Sequence, residues 1–360
     1  MKDSGDKNQR MITYFLGFIV SVIIVVILIT FKDFLVPITI AILLTYLFHP
    51  VLEYLKVKLK IPRPIGVIFI LILNFALFYV LGLIFFASFG DFSARIQYYG
   101  DKLSAIVIDI LRPFNLTLLE LESWLGYETQ KFDAGQLLKK LFDAGIIQGL
   151  FSSFSNLLSN FFLVMLFWVF MILGKPQFEK RLKVAFASSS FDTEKQINAV
   201  SDQLQSYLMI KTLISLATGV TFTVVLTIYG IDFAMIWGLL AFILNYIPNI
   251  GSLLATIFPI IIAMLDLGFG FASVSLAVIL FAVQNIYGNI IEPKFMGMKL
   301  DLSPVFILMS LIFWGWIWGI VGMFLAVPIA SVLKILCSNV DALKPVAILI
   351  GTKAEPLGDV

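Results

Sequence analysis

Lys, Arg, Asp and Glu are absent from several long apolar stretches of this chain, and their placement decides what it can fold into. The charge-free stretches Met11–Phe31, Ile65–Phe89, Leu150–Gly174, Thr212–Ile231 and Leu267–Ile291 are each long enough to cross a hydrocarbon core of ~30 Å, which takes about 20 apolar residues of helix. Phe34–Phe48 is shorter, carries Pro37 near its start and ends at His49-Pro50, which reads as a tilted or thin-region helix. Met11–Phe31 is too long for a signal-peptide core. It is followed by Lys32-Asp33 rather than a small-residue cleavage site, so it reads as a retained first helix. With 60% hydrophobic and 13% charged residues, the chain has more apolar surface than a soluble monomer could hide. It reads as an all-α polytopic protein of the lipid bilayer.

The basic residues order the loops. Lys2, Lys7 and Arg10 precede the first helix, Lys56, Lys58, Lys60 and Arg63 follow the second, and Lys175, Lys180, Arg181, Lys183 and Lys195 follow the fourth. All fall on one side if each helix crosses. Segment 90–149, with six basic and eight acidic residues, falls on the other. This places both termini in the cytoplasm and 90–149 outside. The expected organisation is membrane helices one to three over 1–89, a helix-bearing outer segment over 90–149, the fourth helix over 150–174, a cytoplasmic amphipathic helix over 175–211, a membrane core over 212–337 and a cytoplasmic tail over 338–360. In the outer segment, Leu103–Leu119 and Leu137–Ile147 carry helical periodicity, interrupted at Arg112-Pro113 and Gly126, and read as short surface helices. In the cytoplasmic segment, Ile197, Val200, Leu204 and Leu208 form one apolar stripe after Thr193-Glu-Lys-Gln196, which has capping-box spacing.

Two apolar segments are broken at their centres. Phe233–Leu265 is interrupted by Asn245, Pro248, Asn249 and Gly251, and Ser303–Leu333 by Gly315, Gly319 and Gly322. Pro removes a backbone donor, and Gly and Asn favour turns. Each arm of the first segment has about 15 residues, or ~22 Å, short of the core. Both segments read as re-entrant helical hairpins, with pairs of short tilted helices as the alternative. Gly251-Ser-Leu-Leu-Ala255 matches Gly322-Met-Phe-Leu-Ala326, and each hairpin follows a full crossing helix, so 212–265 and 267–333 form a possible inverted repeat. Paired, interrupted segments of this kind point to a transporter site. About eight membrane helices or hairpins result.

The charge-bounded spans hold no Asp, Glu, Lys or Arg in their interiors. Asp232, Asp266, Glu292 and Asp301 stand at span ends, where interfacial anchoring is the plain reading. His49 stands at an expected helix end. What remains inside are the amides Asn245, Asn249, Gln284, Asn285 and Asn289, with Ser252 and Thr256. Amides and hydroxyls donate and accept, which suits an uncharged hydroxylated solute, while interhelical bonding is the alternative. Trp314, Trp316 and Trp318, at spacing two, cannot share one helical face, so an irregular tip is expected there. One His and one Cys exclude an intrachain His/Cys zinc site and a disulfide. A net charge of +2 carries no nucleic-acid signal. There is no phosphate-binding loop of the Gly-Lys-Ser/Thr type, no nucleophile–base constellation and no cofactor signature, so an enzyme is not expected.

The second half resembles the autoinducer-2 exporter (AI-2E) family. Asn245-Tyr-Ile-Pro248-Asn-Ile-Gly251 is similar to its Ile-Pro-x-x-Gly motif. Gln284-Asn-Ile-Tyr-Gly-Asn289, Pro293 with Gly297, Leu302-Ser-Pro304 and Gly319-Ile-Val-Gly322 through Pro328 extend the pattern. Two positions depart from it: Tyr287 stands where many members carry an acid, and Ser252 where many carry Pro. The resemblance implies a secondary transporter that exports the signalling furanone autoinducer-2 or a related solute. It also implies re-entrant hairpins, an elevator-like movement, a homopentamer and a place in a bacterial inner membrane. The expected solute path combines Asn245, Pro248, Asn249, Gly251, Ser252, Gln284, Asn285, Asn289, Gly319 and Gly322. Two alternatives stay open: a sodium (or lithium)/proton antiporter using Asp266 or Glu292, and a non-transporting membrane scaffold that binds a partner through 90–149.

Overall fold

The computed structural model describes residues 2–111, 147–185, 193–296, 302–338 and 343–352. Among them every regular element is helical: α1 (Lys2–Thr30), α2 (Lys32–Lys58), α3 (Arg63–Leu111), α4 (Ile147–Ala185), α5 (Thr193–Ile228), α6 (Ala234–Leu244), α7 (Ile250–Leu267), α8 (Phe271–Asn285), a π-helical turn (Ile286–Ile291), α9 (Glu292–Met296), α10 (Pro304–Ser338) and α11 (Lys344–Ile350). A helix pairs its backbone groups within one segment, which is what lipid demands. Among the described residues, eight segments are long and apolar enough to cross a bilayer: Met11–Thr30, Lys32–Lys58, Arg63–Ile84, Leu158–Phe178, Ser201–Ile228, Ile250–Leu267, Phe271–Phe295 and Pro304–Ser338. Large apolar side chains point outward along them; Phe170 is 70% exposed and Ile72 62%. An outward apolar surface of this extent suits lipid.

Several boundaries differ from those drawn at prolines and charges. α2 does not stop at His49-Pro50 but runs to Lys58 with Pro37 and Pro50 inside it, so His49 lies within a helix. Pro50 removes one backbone donor, but Leu52 and Leu55 beyond it are buried and anchor the added turns. α3 continues past Phe89 to Leu111, so the periodicity from Leu103 belongs to the same helix, beyond its crossing segment Arg63–Ile84, instead of opening a separate surface helix. The rest of segment 90–149, over 112–146, lies outside the described residues, as do Gly297 and Asp301. The amphipathic helix and the fifth span are one continuous helix, α5, with Leu204 and Leu208 buried.

The chain divides into two compact units. One comprises Met1–Val67, Asn160–Met209 and Met296–Val360. Its core gathers Leu43, Tyr207, Leu208, Leu302, Leu325, Val327, Ala330 and Ile350. Here α10 turns back on itself at Gly319, whose φ of 63° and ψ of −145° are essentially reserved for glycine. Ser310 Oγ on the first arm donates to the Ala326 carbonyl on the second at 3.0 Å. A Cβ on Gly322 would land on the Trp314 carbonyl, so only glycine allows the arms to close. Trp314 is buried and Trp316 is 70% exposed. Trp318 Nε1 donates to the Leu28 carbonyl of α1 at 3.0 Å. The break after Trp318 resolves the awkward Trp spacing.

The second unit comprises Ile68–Ser159 and Ile210–Phe295. Phe222, Leu226, Ile231, Ala241, Ala255, Ile260, Ala263, Leu276 and Leu280 form its core. α6 and α7 fold against each other: the Trp237 and Phe258 rings stack with centroids 6.4 Å apart. The connecting turn, 245–249, ends at Asn249 with φ of 60°, a value Asn adopts more readily than most residues. Gly251 then packs so closely on the Leu244 carbonyl that a Cβ would overlap it. The two broken segments thus belong to different units.

Candidate functional site

The hairpin turn is positioned by hydrogen bonds from two neighbouring helices. Buried Asn245 donates through Nδ2 to Ser215 Oγ on α5 at 2.9 Å. Its Oδ1 accepts from Gln284 Nε2 on α8 at 3.3 Å. Tyr246 OH donates to Thr212 Oγ1 on α5 at 2.7 Å. Next to this turn, the backbone of α8 widens into the π-helical turn Ile286–Ile291. Such turns recur at functional sites because they are otherwise unfavourable.

A cavity of about 350 Å³ opens between these elements. Of the expected solute-path residues, Asn245, Pro248, Asn249, Ser252, Gln284, Asn285 and Asn289 all line it. Thr256 and Gly288 join them. Asn289 Nδ2 donates to Asn285 Oδ1 at 2.8 Å, and Ser252 Oγ donates to the Asn249 carbonyl at 2.8 Å. Gln284 Oε1 is a buried acceptor without a hydrogen-bond partner among the described residues. Gly251 is not in the lining; it sits behind the turn, against Leu244. Gly319 and Gly322 lie on α10, in the other unit. Tyr287 is half-buried and shares a hydrogen bond with Thr221 Oγ1 at 3.2 Å.

The spans are not free of charge. Lys211 lies inside the candidate span Ser201–Ile228 and Glu292 inside Phe271–Phe295, and both line the cavity. Lys211 Nζ donates to both carboxylate oxygens of Glu292, at 2.7 and 2.8 Å. Lys211 is 4% exposed. A reading that ends each span at a charge misses this residue. The signal was present: Tyr207-Leu-Met-Ile210 continues the apolar run on the near side of Lys211. Ionisable groups at membrane depth are functional candidates, and each needs a partner.

Asp266, the other carboxylate singled out as a coupling candidate, stands elsewhere. It lies near the far end of α7, ~24 Å along the helix axis from Ile250. The neighbouring polar cluster at that end joins Asp232, in the loop between α5 and α6, to Arg95 and Tyr99 of α3. Arg95 forms an ion pair with Asp232, and Tyr99 OH donates to Asp232 at 2.7 Å. Burial and that hydrogen bond raise the Tyr99 phenol above its ordinary pKa, and Asp232 raises the Arg95 guanidinium. No group of three or more His, Cys, Asp or Glu side chains able to hold a metal occurs among the described residues.

The cavity can therefore offer amide and hydroxyl partners on several sides, with one compensated ion pair. The model of the family described as "AI-2E family transporter" matches residues 16–341. A Haemophilus influenzae protein, whose name assigns it provisionally to transport, is 33% identical over 89% of this chain and 90% of its own. The "AI-2 transport protein TqsA" of Escherichia coli is 30% identical over 88% of this chain and 89% of its own. A Borreliella burgdorferi protein, also named provisionally for transport, is 29% identical over 88% of this chain and 84% of its own.

Proposed function

The chain belongs to the AI-2E transporter family, and on that premise we propose that it is a secondary transporter exporting a small uncharged polar solute. The E. coli relative's name makes autoinducer-2 or a similarly hydroxylated molecule the cargo to try first. The observation that carries the reading is the cavity: its polar lining consists of amides and hydroxyls around one neutralised ion pair. Donors and acceptors in that mixture match hydroxyl and carbonyl groups, whereas an ion would meet no net countercharge.

The hairpin geometry supports a site at membrane depth. α6 has 11 residues and is ~16 Å long, about half of the ~30 Å core. Its turn meets Ser215, which precedes the end of α5 at Ile228 by ~20 Å of helix. The re-entrant reading rests on α6 and its buried turn, since α7, with 18 residues, is long enough to cross on its own. In both broken segments a glycine (Gly251 or Gly322) closes on a carbonyl seven or eight residues earlier, which favours the inverted-repeat reading. All cavity-lining side chains belong to one compact unit, so an elevator-type movement could carry the site as a body.

The test is efflux from loaded vesicles containing the purified protein, with autoinducer-2 and simple polyols as cargo. Gln284→Ala and Asn285→Ala are expected to lower efflux at unchanged protein level. Wild-type rates in both variants would reject the site assignment. Glu292 in the cavity keeps one second reading in view, a sodium/proton antiporter. A dye-reported proton flux on adding sodium or lithium to proteoliposomes would favour it over solute export.

A further inference from the structure

Among the described residues, Lys211 and Glu292 are the only formally charged side chains lining the cavity. They are bonded to each other through both carboxylate oxygens, so the cavity carries no net charge. Lys211 comes from α5 and Glu292 from the start of α9, directly after the π-helical turn. The amides around them offer dipoles, not countercharge. In a confined site at membrane depth the effective dielectric is low, and one uncompensated unit charge outweighs several such dipoles.

We infer that the Lys211–Glu292 pair determines the charge selectivity of the transporter, admitting cargo of zero net charge and disfavouring ions of either sign. The inference rests on the solute-transport reading of this cavity and names the residues that decide one property of the cargo. A neutral or zwitterionic solute leaves the pair intact and binds the amides and hydroxyls beside it. A net anion or cation must compete with one member of the pair for the other. That leaves either Lys211, which is buried, or Glu292, whose side chain is 20% exposed, without its partner, an unfavourable outcome that is worse for the buried lysine. Replacing either residue with a neutral one would give the cavity a unit charge and turn its selectivity toward ions of the opposite sign.

The test reads the charge of the cavity without needing the natural cargo. Cys337, the single cysteine, is replaced by Ser, and Ser252→Cys places a reporter thiol in the lining. Its reaction rate is measured in membranes with three methanethiosulfonates: neutral methyl, cationic trimethylammonioethyl and anionic sulfonatoethyl. With the pair intact, the cation-to-anion rate ratio should equal that of a free thiol in water, and the neutral reagent should react fastest relative to its own free-thiol rate. Lys211→Gln should raise the ratio about tenfold and Glu292→Gln lower it about tenfold. The double Gln variant should restore it. An unchanged ratio in both single variants would overturn the inference. So would recovery of folded protein only for the double variant, which would assign the pair to folding. A thiol at 252 that reacts with none of the reagents would remove the water-filled solute path itself, and this inference with it.

Discussion

Lys211 Nζ contacts both oxygens of the Glu292 carboxylate, joining α5 to the residue that follows the π-helical turn. Removing Lys211 leaves the Glu292 carboxylate, 20% exposed, without its partner, whereas removing both leaves no charge to satisfy. Lys211→Met should therefore cost about 1–3 kcal/mol, and adding Glu292→Leu should recover most of that loss. Melting temperatures of the purified variants in one detergent check the order: wild type and double variant above the single variant.

Asn245 holds the hairpin turn to α5 and α8 through Ser215 and Gln284. Asn245→Ala breaks both links and leaves the amide of Gln284 in the cavity wall without its acceptor. A loss of about 1–3 kcal/mol is expected, together with reduced solute efflux. Ser215→Ala, which removes one link, should do less on both measures. Equal losses in the two variants would deny Asn245 its role as the central tie.

Glycines near the two hairpins should respond differently to one methyl group. Gly251→Ala drives a Cβ into the Leu244 carbonyl, and Gly322→Ala does the same at Trp314; backbone must move, at a cost of about 2 kcal/mol or more. Gly319→Ala meets no neighbour but is forced to keep φ at 63°, a strain of about 1–3 kcal/mol. Gly288→Ala, with open space around it, should be tolerated within about 0.5 kcal/mol. The yield and melting temperature of the four variants give the ranking.

Tyr99 is buried and donates its phenol proton to Asp232, and both effects raise its pKa above the ordinary value. A tyrosine whose native pKa exceeds its unfolded one stabilises the fold below the unfolded value and loses that contribution as pH rises through the native one. Phenolate absorbance near 295 nm, taken as wild type minus Tyr99→Phe, should thus show no titration at the ordinary tyrosine pKa of about 10. A step there would contradict the hydrogen bond.

Most of the membrane architecture was legible because lipid imposes one dominant rule. A helix that crosses must be apolar over about 20 residues, and that pattern is visible without knowing any neighbour. The breaks were legible for a similarly local reason: Asn249 and Gly319 take backbone angles that few residues accept. The amides that line the cavity were legible as well, since Asn245, Gln284, Asn285 and Asn289 are the conspicuous polar residues beside those breaks.

Tertiary structure alone decided the rest. Where α2 and α3 end depends on packing and helix continuity beyond Pro50 and Phe89, which local propensity underestimates. The membership of the two hairpins in different units depends on long-range contacts that no local pattern encodes. The largest gap was Lys211. A lysine read alone marks the edge of a span, because an unpaired ammonium in hydrocarbon is too costly. Only the fold brings it to Glu292, 81 positions away in the chain, and two charges that each looked like a boundary become one neutral pair inside the site. Sequence determined which residues lipid could tolerate singly; structure determined which of the remainder could be tolerated together.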